Sequence, residues 1–240
     1  MPKVQKIESK THFTPAAIKF LAGLKRNNDR EWFNARKPLY ESEVLAPWLA
    51  FIEEVNESLS TFAPSYIKPA RKANFRIYRD TRFSSDKRPY KPRVAAWWSP
   101  AQFAKTSGAG FYAHIAADGV VFAAGNFMPP PDQLLAIRRH LQQNHEAFRA
   151  VLADKKRRKL MPDLETDPLK RVPKGFAADD PAADYIRDRK WGIGVTLPAT
   201  IATTPALHKE IIDRMRSAAP LVDLLNAPLL AAATPRKTFF

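Results

Sequence analysis

The sequence predicts an α+β fold with a central, largely antiparallel sheet on which N-terminal and C-terminal helices pack. Three observations predict this class. The first third of the chain has the periodicity of amphipathic helices, the middle alternates around a hairpin signal, and the last third returns to helical spacing. A block of strands between two blocks of helices favours this class over an alternating, parallel sheet.

The N-terminal third contains the signals of successive helices. Thr14 followed by Pro15 is typical of an N-cap with proline in the first helical turn. An apolar face follows at spacings of three and four residues, formed by Ala17, Phe20, Leu21 and Leu24. Asp29 can cap a second helix, and a further apolar stripe runs through residues 48–62. Breaks or first-turn positions are expected at the two prolines of this region, Pro38 and Pro47.

The middle of the chain contains most of the predicted strands. Residues 75–79 alternate in polarity, and residues 94–98 do so more loosely. The runs GFYAHIAA and VVFAAG then flank residues 118–119, an Asp-Gly pair suited to a type I′ turn because glycine tolerates positive φ. These two runs are expected to be antiparallel neighbours at the centre of one sheet.

The last third of the chain mixes helices with one more strand. Helix starts are expected at or beside prolines, at Asp132, Asp180, Thr204 and Pro220. The run WGIGVTL at residues 191–197 predicts a further strand. Residues 155–159, KKRRK, follow a helical pattern. They are interpreted either as a solvated helix exit or as a contact to a phosphate backbone.

Composition limits the class of protein. The chain has no cysteine, which excludes a disulfide framework, a thiolate nucleophile and cysteine-ligated metal centres. No apolar leader precedes residue 13 and no window approaches 18 consecutive apolar residues, so we expect a cytoplasmic protein without a membrane partner. The expected organisation is a polar arm at residues 1–12, a single α+β domain at residues 13–230 and a frayed tail at residues 231–240.

The charge distribution is the most informative functional signal. The 240 residues have a formal net charge of +15 and a pI near 10.1. Nine Lys and Arg residues lie within residues 71–93, interleaved with aromatic side chains and accompanied by two acids, Asp80 and Asp86. Concentrated like charge costs self-repulsion that an anionic ligand would relieve. The sequence therefore predicts an anionic partner, with nucleic acid as one candidate.

The candidate ligand-binding residues lie in the basic loop, residues 76–91. They are Arg76, Arg79, Arg82, Ser84, Lys87, Tyr90 and Lys91. Arg79 is expected at the core-facing edge of a strand, paired with Asp80 or Asp86, because an unpaired buried guanidinium is costly. Two interpretations remain open, and both can hold together: a clamp for phosphate or carboxylate, or a salt-bridge network that fixes the loop.

Two residues are candidates for proton transfer. His114 lies within a predicted strand and is either a general base or a cross-strand hydrogen-bonding group; Asp86 is the second candidate. The histidines lack the HxH and HExxH spacings of zinc sites, so no metal is expected. The chain has neither a Walker A run nor a GxGxxG motif, so no cofactor is expected either.

Several phrases follow one another in an order that resembles a known family. They are FTPAAIKFLAGLKRNNDREWFNARKPLY, FRIYRDTRFSSDKRPYK, GFYAHIAADG, PPPDQLLAIRRHL and LKRVPKGF. Together they run from about Phe13 to the last helix, and they resemble the domain of unknown function 2461, a family of mainly bacterial proteins. The resemblance implies a single-domain intracellular protein without an established activity or cofactor.

These features support three functional hypotheses. The first is a binding protein that holds a phosphate-bearing or other anionic ligand, nucleic acid included, in a groove between residues 76–91 and the hairpin at residues 111–123. The second is an enzyme that acts on a small anionic or phosphorylated substrate. The third is a scaffold that binds partners without catalysis.

Overall fold

Five antiparallel strands form one sheet in the computed structural model, which describes residues 13–104 and 106–233. In chain order the strands are β1 (Asn74–Phe75), β2 (Arg93–Trp98), β3 (Gly110–Ala116), β4 (Gly119–Asn126) and β5 (Trp191–Leu197). Neighbours in sequence are neighbours in the sheet, so the strand order is β1-β2-β3-β4-β5. Helices precede β1, lie between β4 and β5 and follow β5, and the predicted α+β class is confirmed.

The helices flank the strands along the chain. Before β1 they are α1 (Pro15–Arg26), α2 (Arg30–Asn34), α3 (Lys37–Leu39), α4 (Ala46–Leu59) and α5 (Ala70–Ala73). After β4 they are α6 (Pro131–Gln143), α7 (His145–Ala153), α8 (Lys155–Leu160), α9 (Ala183–Ile186) and α10 (Ala206–Ala233).

The predicted arm at residues 1–12 lies outside the described residues. Helix α10 continues three residues into the predicted tail, and the rest of that tail, residues 234–240, also lies outside them.

The predicted N-terminal helix starts are confirmed. The side chains of Thr14 and Asp29 each accept a hydrogen bond from the backbone N–H three residues later, at 3.4 and 2.8 Å. Pro38 and Pro47 lie in the first turns of α3 and α4. A π-helical segment, Tyr40–Leu45, joins these two helices, so neither proline ends the helical path.

The prediction that Pro220 opens a separate helix is wrong. Helix α10 spans 28 residues with Pro220 and Pro228 inside it. A proline within a helix costs about 3 kcal/mol because it removes a hydrogen bond and its ring clashes with the preceding turn. Buried apolar side chains on both sides of Pro220 offset that cost: Leu207, Ile211, Met215, Leu221, Val222 and Leu225.

The basic run at residues 155–159 forms a helix of its own, α8. Asp154 caps this helix by accepting a hydrogen bond from the backbone N–H of Arg157 at 2.6 Å. The side chain of Arg157 is 1% exposed and donates to the carbonyl oxygens of Leu152 and Pro162. The interpretation as a solvated helix exit is therefore wrong for Arg157, whose guanidinium points into the protein.

Strand β1 is shorter than predicted. It has two residues, whereas the alternation predicted a strand at residues 75–79. Beyond Phe75 the chain leaves the sheet and pairs with its own return segment, where Tyr78 forms a β-bridge with Tyr90. Pro92 separates this return segment from β2, because proline has no N–H to donate to a ladder.

The predicted β3–β4 hairpin is confirmed, but its turn differs from the prediction. Ala116 pairs with Gly119, so the two-residue loop is residues 117–118 instead of 118–119. A type I′ turn needs positive φ at both central residues. Among the described residues, positive φ occurs at Thr106, Gly108, Gly125 and Gly175. Gly119 has a steric role instead, since a Cβ there would come within 2.8 Å of Thr196 Cγ2 on β5.

The two faces of the sheet have different surroundings. Helix α10 packs across β3 and β4 on one face, where the side chains are buried: Val94, Trp98, Phe111, Ile115, Phe122 and Ile193. Solvent reaches side chains of the opposite face, which we call the open face: Phe75, Arg93, Tyr112, His114, Val121, Ala123 and Thr196. The register places His114 between Ala95 and Val121 on this face. The open face is therefore the part of the sheet that a ligand can contact.

Candidate functional site

The basic loop folds back on itself as a two-stranded ribbon. The backbone N–H of Arg79 donates to the carbonyl oxygen of Pro89 at 2.8 Å, and that of Lys91 donates to Ile77 at 2.8 Å. These bonds pair the start of the loop with its end. We call this part of the chain, residues 76–91, the ribbon.

Tyr90 anchors the ribbon to the helical layer. Its ring stacks on Phe33 of α2, with the ring centroids 4.1 Å apart and 21° between the planes. The side-chain amide of Asn28 holds the same residue, because it donates to the Tyr90 carbonyl and accepts from the Tyr90 N–H, both at 3.0 Å. Tyr90 is a candidate ligand residue from the sequence, yet it is only 3% exposed and lies in the core.

Asp86 joins two arginines of the ribbon. Its Oδ2 lies 2.9 Å from Nη1 of Arg79 and 2.7 Å from Nη2 of Arg88. The expected pairing of Arg79 with a nearby carboxylate is confirmed, although its Nε is buried without a partner among the described residues. Hydrogen bonds from Arg88, together with the charge of Arg79, hold the pKa of Asp86 far below its usual range. Asp86 therefore stays ionised and positions guanidinium groups; a role in proton transfer remains a prediction.

Three other candidate residues make local contacts within the ribbon. Arg82 forms a two-point contact with Asp80, with distances of 3.1 and 2.8 Å, and these hydrogen bonds lower the pKa of Asp80 to about 2. Lys87 Nζ donates to the carbonyl oxygen of Thr81 at 3.0 Å. Ser84 Oγ accepts from a backbone N–H at 3.1 Å. These contacts fix the shape of the ribbon, as the salt-bridge interpretation of the loop requires.

A cleft of about 470 Å³ lies between the ribbon and the open-face side of the β3–β4 hairpin. We call it the cationic cleft, and its ionisable lining residues are Lys25, Arg79, Arg88, Arg93, His114 and Asp118. The sheet beneath these side chains is made of small residues, Ala116 and Gly119, which leave room for the cleft. Charged or titratable side chains of the cleft thus come from four parts of the chain: helix α1, the ribbon, β2 and the β3–β4 hairpin.

Positive charge in the cationic cleft exceeds the negative charge that balances it. Lys25 pairs with Asp118 at 2.7 Å, and two arginines share the single carboxylate of Asp86. Arg93 is exposed, and no carboxylate among the described residues pairs with it. Four cationic side chains meet two carboxylates, which leaves two positive charges unbalanced.

The surroundings of Lys91 reflect the same excess charge. Its Nζ donates to the carbonyl oxygen of Arg76 at 3.2 Å and lies 5.8 Å from the centroid of the Phe75 ring. Partial burial lowers the pKa of Lys91, and the positive charges of Arg93, Arg76 and Arg79 lower it further. Arg76 and Lys91 therefore add to the positive field around the cleft.

His114 brings an uncharged imidazole to the cationic cleft. Its Nδ1 lies 3.1 Å from the hydroxyl oxygen of Tyr112. Burial lowers the pKa of His114 to about 4, the charge of Arg93 lowers it as well, and Asp118 opposes the shift. His114 is thus a hydrogen-bonding group at neutral pH, with its partner on the same strand instead of across the sheet. Its role in proton transfer remains a prediction.

The structure brings two of the predicted site residues, Arg79 and His114, together in the cationic cleft. Arg82, Ser84, Lys87 and Tyr90 are placed elsewhere. The other cations of the cleft are Lys25, Arg88 and Arg93, which were not among the predicted site residues. Alternation in the sequence places Arg93 on the face of β2 opposite Val94, but only the register with β3 shows that this is also the face of His114. The sequence gives no indication of Lys25, because this residue belongs to a helix far from the ribbon along the chain.

Neither a metal-binding cluster nor a membrane-spanning helix is found in the described part of the chain. Within residues 13–104 and 106–233, no group of three or more His, Asp or Glu side chains is arranged to share a metal ion. Over the same ranges, no helix combines the length and the apolar character that crossing a bilayer requires.

A family model matches most of the chain. Its description is "Conserved hypothetical protein (DUF2461)", and it covers residues 16–224. No curated protein and no solved structure matches the chain. Every residue that lines the cationic cleft lies within the matched span.

Proposed function

The chain belongs to the DUF2461 family of conserved hypothetical proteins, and we propose that it is a binding protein for a small anion held in the cationic cleft. The anion carries a phosphate or a carboxylate, the groups that arginine binds through two parallel hydrogen bonds. The observation that carries the proposal is the excess positive charge of the cleft, where no described carboxylate pairs with Arg93.

Hydrogen-bond donors around the cleft support the same function. A guanidinium has five N–H donors, so Arg79 and Arg88 can be held at one edge by Asp86 and still bind an anion with the remaining groups. Thr196 and the uncharged His114, which also line the cleft, add neutral donors on the side of the sheet. Such a combination suits an anion that needs both charge neutralisation and orientation.

The placement of the two basic segments favours a small anion over nucleic acid. The cationic cleft lies on the open face of the sheet, whereas α8, with the basic run at residues 155–159, packs against α10 behind the opposite face. A nucleic-acid backbone would have to pass around the edge of the sheet to contact both segments. In addition, Arg82 is paired with Asp80 and Arg157 is buried, so fewer cations are free than the composition suggests.

Isothermal titration calorimetry with inorganic phosphate tests the proposal. We expect the wild type to bind phosphate and Arg93→Ala to bind it at least about tenfold more weakly, because a hydrogen bond to a charged group contributes about 1.5–3 kcal/mol. Arg82→Ala is the matched control, since it removes the same charge from an exposed site outside the cleft. Its affinity should equal that of the wild type. Absence of binding by the wild type, or equal losses in both variants, would contradict the proposal.

A titration with single-stranded DNA at several salt concentrations separates the small anion from nucleic acid. We expect weak binding of the oligonucleotide compared with phosphate. Nucleic acid would be the ligand instead if three results occurred together. The oligonucleotide would bind more tightly than phosphate, its affinity would fall steeply with salt concentration, and Arg93→Ala and Arg82→Ala would weaken its binding equally.

A further inference from the structure

A second depression, which we call the apolar pocket, adjoins the cationic cleft on the open face. Its volume is about 350 Å³, and its lining is largely aromatic: Phe75, Trp97, Tyr112 and Phe127, with Val121 and Asn126. Val121 also lines the cationic cleft, so the two spaces share a wall. The hydroxyl of Tyr112, bonded to the imidazole of His114, lies at their boundary.

Glycines bring two of the aromatic rings close to the sheet. A Cβ at Gly110 of β3 would come within 2.7 Å of the Trp97 ring, and a Cβ at Gly192 of β5 would overlap the ring of Phe127. These rings therefore rest against the strand backbone, where a larger residue than glycine would displace them. The pocket gains walls suited to a flat ring system.

Two buried donors in the wall of the apolar pocket have no partner among the described residues. They are Nε1 of Trp97 and Nδ2 of Asn126, and the two residues are 6% and 2% exposed. By contrast, the indole N–H groups of Trp48, Trp98 and Trp191 each donate to an oxygen at 3.1–3.2 Å. An unsatisfied buried donor is unfavourable for folding, and native structures rarely keep one. Both nitrogen atoms are enclosed as the structure stands, so their side chains must turn toward the pocket before an acceptor on a ligand can reach them.

We propose that the ligand is an amphipathic anion whose planar body occupies the apolar pocket while its phosphate or carboxylate lies in the cationic cleft. This inference rests on the proposed anion binding and adds the chemistry of the rest of the ligand. The body is a flat ring system with apolar faces and a hydrogen-bond acceptor at its edge. Aromatic side chains stack on the ring, and Trp97 and Asn126 donate to the acceptor after their side chains turn toward the pocket.

The register of the sheet sets the length of this ligand. Trp97 pairs with Tyr112 and Arg93 pairs with Ala116, so the two subsites lie four residues apart along β2 and β3. At about 3.3 Å per residue, the separation along the strands is about 13 Å, and the arginine side chains shorten the gap that the ligand spans. A nucleoside monophosphate, with its base and its phosphate at opposite ends, has the required form. Inorganic phosphate can reach one subsite only.

Calorimetric titrations with adenosine monophosphate, adenosine and inorganic phosphate test the inference. We expect adenosine monophosphate to bind at least about tenfold more tightly than phosphate or adenosine, because it links two contacts in one molecule. Equal affinities for adenosine monophosphate and phosphate would overturn the inference and leave the proposed anion binding in place. If none of the three binds, both proposals fall.

The variant Asn126→Leu tests whether the side-chain amide of Asn126 binds the ligand or stabilises the fold. Leucine is close in size and removes the unsatisfied donor, so the melting temperature should stay the same or rise. Affinity for adenosine monophosphate should fall about tenfold, while affinity for phosphate should not change. An unchanged affinity for adenosine monophosphate, or an equal loss for phosphate, would overturn the role of Asn126. Trp97→Phe keeps an aromatic ring and removes the N–H, so it tests the same point if the leucine variant folds poorly.

Discussion

Replacing Asn226 with alanine is expected to lower the free energy of unfolding by about 3 kcal/mol. Asn226 is fully buried in α10. Its Oδ1 accepts from the backbone N–H of Ala109 at 2.8 Å, and its Nδ2 donates to the Ala109 carbonyl at 3.0 Å. Alanine would leave both backbone groups without a partner, and each unsatisfied buried group costs about 1–3 kcal/mol. Because the neighbouring Gly108 lines the apolar pocket, the same bonds fix one rim of that pocket.

Urea denaturation followed by circular dichroism measures this loss. Tyr66→Phe gives a graded comparison, because it removes only the hydroxyl that accepts from Asn226 at 3.1 Å and donates to Asp223 at 2.7 Å. We expect this variant to lose about 1 kcal/mol. If Asn226→Ala were as stable as the wild type, other contacts would have to hold the segment before β3.

The second large effect is expected at Arg157, where alanine should lower the free energy of unfolding by about 3 kcal/mol. The guanidinium donates to the carbonyl oxygens of Pro162 at 2.9 Å and Leu152 at 2.5 Å, and the side chain is 1% exposed. Alanine would remove the buried methylene groups of the stem, at about 0.8 kcal/mol each. It would also leave the two carbonyl oxygens without their donor.

Arg158→Ala is the matched control for this prediction. It removes the same charge from the neighbouring position, where the side chain is 59% exposed. Its stability should lie within about 0.5 kcal/mol of the wild type, as is usual for surface substitutions. Both variants can be compared by urea denaturation at one pH. Equal losses at the two positions would show that Arg157 has no special structural role.

The features of the fold that local interactions decide were predictable from the sequence. Thr14 and Asp29 cap helices because their side chains reach backbone N–H groups three residues away. The hairpin turn was not predictable, because Gly119 leaves room for the side chain of Thr196, which belongs to a strand far along the chain. Likewise, α10 passes through Pro220 because distant parts of the protein bury its apolar side chains on both sides.

The candidate site was predictable in part. Charge density indicated the ribbon, and the groove expected between it and the hairpin corresponds to the cationic cleft. Composition does not show which cations are paired, so Arg82 looked equivalent to Arg79 although it bonds Asp80 away from the cleft. The apolar pocket was missed, because Phe75, Trp97 and Phe127 come from separate segments that the sheet and its glycines bring together.

The pKa of His114 with and without inorganic phosphate tests the cationic cleft most directly. In the free protein, burial and the charge of Arg93 lower this pKa to about 4. A phosphate bound at Arg93 places negative charge beside the imidazole and favours its protonated form, so the pKa should rise by about one unit or more. An NMR titration of the imidazole resonances gives the value, with sodium chloride at equal ionic strength as the control. We predict a rise with phosphate alone; the same pKa in phosphate and in chloride would contradict anion binding in the cleft.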